Sequence, residues 1–177
     1  MLKRYPTFIK FGSTFGKSAV TNYAGRENLD LCVNGNFCTL INLRNIYGKG
    51  TPQAWLIVQL TGLAEALGLQ DKVTNYQLTD IAELLFDDYR WLKFTEFLQA
   101  FRYLRKIDYY GRFDTSTILN GMKQWNYSVR VPCIERHEKA EQAKREEEWK
   151  RRAVPMPESS KQKMKELWHN IESRIIN

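Results

Sequence analysis

Residues 51–67 are apolar on almost every side of a helix. Thr51-Pro52 opens the segment, Gly68 closes it, and Trp55, Leu56, Ile57, Val58, Leu60, Leu63, Ala64 and Leu67 lie between. Threonine is a good N-cap, and proline is tolerated in the first turn because its missing N–H would have no partner there. A helix without a polar face has to be wrapped by other elements, and the remaining sequence supplies them. Leu40, Leu43 and Ile46/Tyr47 recur at helical spacing ahead of Gly48. Asn34-Gly35 between apolar runs is also a hairpin signal, but the helical reading is the better one, with loop or a short ribbon before it. A helix over 74–89 buries Leu78, Ile81, Leu85 and Tyr89 and turns Asp80, Glu83, Asp87 and Asp88 outward. Another begins near Thr95 with Glu96 in its favourable first turn. Its Phe97, Leu98, Phe101 and Leu104 face the core, while Arg102, Arg105 and Lys106 share a different face. After a loop over 108–113, Asp114 or Ser116 caps a helix carrying Ile118, Met122, Trp125 and Val129.

The expected fold is therefore mostly α. A compact bundle of four or five helices fills 38–131, and an irregular basic and aromatic arm over 1–37 precedes it. Beyond Pro132 the character changes. Five Glu→Lys/Arg pairs at i,i+4 (135–139, 141–145, 146–150, 147–151 and 148–152) support an extended, solvated helix over 132–152 that needs no core. Pro155 and Pro157 mark a linker over 153–159. An amphipathic helix over 160–177 follows, with Met164, Leu167, Trp168, Ile171 and Ile175 in one apolar stripe.

Charge is distributed unevenly along the 177 residues, whose net charge is +7. Residues 1–50 hold seven basic and two acidic residues, 51–90 two and six, and 91–134 seven and three. Such asymmetry is the footprint of a polyanion-binding surface. The longest apolar run is five residues, 54–58, so no membrane span is expected, and no signal peptide is read at the start. Three cysteines suit a reducing cytoplasm better than a disulfide framework.

Motifs for chemistry are few. Gly12-Ser-Thr-Phe-Gly16-Lys17-Ser18 has three residues between its glycines where a phosphate-binding loop needs four, and no βαβ alternation follows. Cys32, Cys38, Cys133 and His137 form a conceivable zinc set, but the first spacing exceeds the usual two to four residues, and small buried cysteines are common in helical cores. No metal or other cofactor is expected. The two histidines, His137 and His169, both lie in the charged C-terminal third, and no nucleophile–base set forms around them. Asp87-Asp88 reads as a solvated helix end. The stronger signal is cationic: Arg102, Arg105, Lys106, Arg112, Lys123 and Arg130, with Tyr103, Tyr109, Tyr110 and Phe113 nearby, have the phosphate-pairing and base-stacking groups of a nucleic-acid surface. Lys3, Arg4, Lys10, Lys17 and Arg26 would extend its reach. The stripe Met164, Leu167, Trp168, Ile171 and Ile175 either folds back on the bundle or docks in a partner's groove, and the proline linker favours docking.

Tyr89-Arg-Trp-Leu92-Lys93-Phe-Thr95-Glu96-Phe97, followed by Tyr110-Gly111-Arg112-Phe113 and Asp114, resembles a family of small helical proteins from phages and mobile elements of Bacteroidota. The likeness covers roughly residues 40–152, with one extra residue between Tyr89 and Leu92. It implies a cytoplasmic accessory protein of a phage or mobile element, in the setting of DNA replication. The expected function is a non-enzymatic replication accessory factor of helicase-loader or replisome-organiser type that binds DNA and, through its terminal helix, a protein. The alternative is an adaptor or inhibitor that binds a host or phage protein and no nucleic acid.

Overall fold

The computed structural model describes residues 5–152 and 157–175; of Tyr23, Arg26 and residues 170–175 only the backbone is described. The chain divides into two units, Met1–His137 and Glu138–Asn177. In the first, α1 (Phe8–Thr14), α2 (Ala19–Tyr23), α3 (Leu29–Asn34), α4 (Leu40–Tyr47), α5 (Thr51–Ala66), α6 (Asn75–Tyr89), α7 (Phe94–Leu104) and α8 (Thr115–Trp125) follow one another, and a π-helical turn, Asn126–Arg130, leads into α9 (Val131–Arg152). Among the described residues the only β pairing is an isolated bridge between Thr39 and Lys93.

The mostly helical expectation holds, but the compact unit contains more helices than the four or five expected, because residues 8–34 are not an irregular arm. Phe11 and Phe15 sit one turn apart and are buried with Ala19, Val20, Ala24, Cys32 and Val33. Their rings join a single aromatic cluster: Phe15 lies 4.6 Å from Phe94 between centroids, and Phe11 meets Phe94 edge-on at 5.3 Å. Burying rings of this size contributes about 2–3 kcal/mol each, which suffices to hold helices of five to seven residues that have little stability alone. The hairpin signal at Asn34-Gly35 is a helix end: the Gly35 N–H donates to the Leu31 carbonyl.

Capping explains most of the other boundaries. Thr74 and Gln77 form a reciprocal capping box at α6, and Asp114 caps α8 by accepting from the Thr117 N–H at 2.8 Å. At α5 the N-cap is Gly50, with φ 85°, rather than Thr51, whose hydroxyl donates to the Gly48 carbonyl at 2.8 Å. α5 is largely buried yet leaves Ala54, Val58 and Glu65 outward. The most enclosed helix is α7, buried from Phe94 through Phe101. Gly121 lets α8 approach it closely, since a Cβ there would stand 2.4 Å from the Leu104 side chain.

The π turn follows from Pro132. Proline has no N–H and its ring collides with the carbonyl four residues back, so the chain widens just before it. The Val131 N–H bonds five residues back, to the Asn126 carbonyl.

The second unit holds the outer part of α9 and α10 (Glu158–Ile175). Of the i,i+4 pairs expected on α9, Glu147–Arg151 and Glu148–Arg152 are ion pairs at 3.6 and 3.7 Å, while Glu141 pairs with Lys144 at 2.9 Å. α10 begins at Glu158, ahead of the expected Ser160.

Candidate nucleic-acid interface

The polar face of α7 is turned inward, onto carbonyls of residues 24–33 and the Thr21 hydroxyl. Short helices leave their last carbonyls without partners in the helix, and those ends favour cations. Lys93 Nζ donates to the Val33 carbonyl at 2.6 Å, Thr95 Oγ1 to Cys32 at 2.8 Å, Gln99 Nε2 to Gly25 at 3.0 Å and Arg102 Nη1 to Ala24 at 2.6 Å. Arg105 Nη1 reaches the Thr21 hydroxyl at 3.4 Å. Burial holds the Arg105 guanidinium below the ordinary arginine range, and its Nε is buried without a hydrogen-bond partner. From α5, Trp55 Nε1 and Gln59 Nε2 both donate to the Phe15 carbonyl, at 2.7 and 2.9 Å. Arg102 and Arg105, read from spacing as a shared outer face, are thus half-buried clamps on α2.

Arg130 is also engaged. The π turn brings its Nε within 2.7 Å of Glu96 Oε1, while Glu96 Oε2 accepts from the Lys93 N–H at 2.7 Å. The guanidinium lies over the Trp91 ring at 4.6 Å.

Lys106, Arg112 and Lys123 are exposed. Between the first two, Tyr109–Arg112 form a tight turn closed by the Arg112 N–H on the Tyr109 carbonyl at 2.8 Å, with positive φ at both Tyr110 (45°) and Gly111 (73°). This is the pattern of a type I′ turn. Tyr109 and Phe113 are buried and stacked at 6.0 Å, and the Tyr109 hydroxyl, pushed up by burial, donates to the Leu104 carbonyl at 3.0 Å. Tyr110 is 92% exposed. Lys72, which sequence reasoning missed, places Nζ 3.4 Å from the Gly111 carbonyl. Nothing in a linear reading joins residues 39 apart. The loops also contain the exposed Asp71 and Asp108. Tyr103 is half-buried against the core. Of the further cations, Lys10 is exposed and Lys17 pairs with Glu65, whereas Lys3, Arg4 and the Arg26 side chain lie outside the described residues.

The residues weighed for zinc are placed differently from a ligand set. Asn34 Nδ2 sits between Asp30 Oδ1 at 2.8 Å and Cys133 Sγ at 3.8 Å, and His137 Nδ1 is 3.3 Å from the same Asp30 oxygen. Burial raises the Cys32 and Cys133 thiols and pushes Cys38 up to about 11. Among the described residues no group of three or more His, Cys, Asp or Glu is arranged to hold a metal, and no helix is long and apolar enough to cross a membrane.

On α10, Met164, Leu167 and Trp168 are 46%, 61% and 63% exposed. The Ile171 and Ile175 side chains of the same stripe lie outside the described residues.

No protein-family model, no curated protein and no solved structure matches the chain.

Proposed function

We propose that this protein is a non-catalytic accessory factor of a phage or mobile element that binds nucleic acid through its helical unit and a protein partner through α10, in the setting of DNA replication. The observation that carries the reading is the Tyr110 turn: a solvent-projected aromatic ring, the exposed Arg112 closing the same turn and Lys72 bonded to the turn's backbone, on a chain of net charge +7. Cations pair with phosphates and rings stack on bases. Lys106, Arg112 and Lys123 are the residues assigned to phosphate contact; Arg102, Arg105 and Arg130 serve chiefly to hold α7 to its neighbours. The phage setting and the helicase-loader or replisome-organiser role rest on the sequence resemblance over residues 40–152.

The test is fluorescence anisotropy with a labelled DNA oligonucleotide across a salt series. Affinity falls steeply with salt, and replacing Lys106, Arg112 and Lys123 together by Ala reduces the log–log slope by about 0.7–0.9 per lost phosphate contact. An unchanged slope in the triple variant removes the surface assignment.

A second reading, an adaptor or inhibitor that binds only protein, is favoured by one observation, the exposed Met164, Leu167 and Trp168 on α10. Absence of any DNA or RNA binding at about 50 mM salt selects it.

A further inference from the structure

We infer that the Tyr110 turn is a stacking platform for unpaired bases, so that the nucleic acid it takes is single-stranded; this rests on the nucleic-acid reading above. Three features of the turn converge. First, its base is fixed. Tyr109 and Phe113 are buried and stacked at 6.0 Å, and the Tyr109 hydroxyl is tied to the Leu104 carbonyl. Second, its tip is projected. Between those two anchors Tyr110 stands 92% exposed.

Third, the tip is held in a conformation its residue type disfavours. Tyr110 is the only non-glycine with positive φ among the described residues, at 45°. The first central position of such a turn selects Asn, Asp or Gly, which tolerate the left-handed region. A tyrosine there costs stability while its ring stands in solvent, a local outlier of the kind found at binding sites.

An exposed ring on a fixed turn is matched to a base whose face is free. In a duplex the faces are covered by neighbouring bases, so a tip of this kind has little to stack on without paying for unstacking; in a single strand every base has an open face. Lys72 at the Gly111 carbonyl and the exposed Arg112 that closes the turn put two cations on the same turn as the ring for the flanking phosphates, against the single charges of Asp71 and Asp108 in the same loops. The shared chemistry, an unpaired base on a polyanionic backbone, is common to DNA and RNA.

The experiment uses the full chain and four labelled probes at about 50 mM salt: a dT 20-mer, an rU 20-mer, a 20-base-pair DNA duplex and a 20-base-pair RNA duplex. Binding to at least one single strand is expected to be about tenfold or more tighter than to its duplex, and the dT and rU arms identify the sugar. Tyr110→Ala is expected to weaken single-strand binding about fivefold or more, the lower end of the loss for one stacked base, while Tyr110→Trp retains it. Tyr110→Asn is expected to weaken binding as Ala does while raising the thermal midpoint by about 2–4 °C, because Asn accepts the turn's backbone. Duplex affinity equal to single-strand affinity, or single-strand affinity unchanged in Tyr110→Ala, overturns the inference and leaves the nucleic-acid reading standing. Binding to none of the four probes overturns both.

Discussion

Glu96 and Arg130 meet at 2.7 Å, and Glu96, 1% exposed, has almost no water to turn to if the pair is broken. The pair ties α7 to the π turn, and Trp91 covers the guanidinium from outside. Arg130→Ala leaves a buried carboxylate with only the Lys93 N–H, and is expected to cost about 3 kcal/mol in urea unfolding. Glu96→Gln combined with Arg130→Met is expected to cost less than the two single changes added together, because no charge is left stranded. A loss below about 1 kcal/mol for Arg130→Ala contradicts this account.

The first helices are structural. Phe11→Ala empties a site buried among Phe15, Phe94 and Tyr47 and is expected to cost about 3–5 kcal/mol. Arg102→Met, which keeps the stem and removes the donor, leaves the Ala24 carbonyl without that bond and is expected to cost about 1–3 kcal/mol. Denaturant midpoints of the two variants measure both. A solvated arm would show neither loss.

Asp114 supplies a pH signature. Hydrogen bonds from the Ser116 and Thr117 hydroxyls and the Thr117 N–H favour its charged form and hold the carboxyl below its ordinary value. A depressed folded value means stability that is fully present above the unfolded value of about 3.9 and is lost as pH falls through the folded one. Asp114→Ala is expected to cost about 1 kcal/mol at pH 7, and its difference from the parent protein to shrink below about pH 4. Thermal unfolding of both proteins from pH 7 to pH 3 measures the difference; a gap that is constant with pH speaks against the cap.

The thiols are expected to be slow. With Cys38 pushed up to about 11 and Cys32 and Cys133 buried, little thiolate forms at pH 8. Disulfide-exchange labelling of the folded protein at that pH is expected to lag the rate after denaturation by well over tenfold. Rapid labelling of one cysteine in the native state would mark it as reactive.

The apolar stripe of α10 is expected to be neutral for stability. Leu167→Ala and Trp168→Ala remove exposed side chains and should each change the unfolding free energy by less than about 0.5 kcal/mol. A buried docking of this face in the isolated protein would give several times that.

α5 is readable because it is apolar on almost every side, although its N-cap is Gly50 and not Thr51; α6 and α8 are readable because each has an apolar period, and for α8 also a recognisable cap in Asp114. α7 starts at Phe94, one residue ahead of the expected Thr95, because sequence shows Glu96 only as a first-turn charge and not as the group that binds both the Lys93 N–H and Arg130. Residues 8–34 carry no sustained helical signal in sequence. α1 to α3 are too short to show a period, and the donors that complete them come from residues 55–105. For the same reason the candidate surface was only half legible. The residue types were plain, but whether an arginine faces water or a helix end depends on what packs over it. Arg102 and Arg112 look alike in sequence; one is clamped to Ala24 and the other is exposed.

The inward-facing donors of α7 also set an order for synthesis. The Ala24 carbonyl waits for Arg102, 78 residues later, and Thr21 waits for Arg105, 84 residues later. At ribosomal rates of about 5–20 residues per second, that is a delay of roughly 4–16 s. During it, Phe11 and Phe15 have been made but the helix that shelters them has not. Residues 8–34 therefore leave the ribosome with these rings unsheltered, and the native unit closes on them only when α7 arrives.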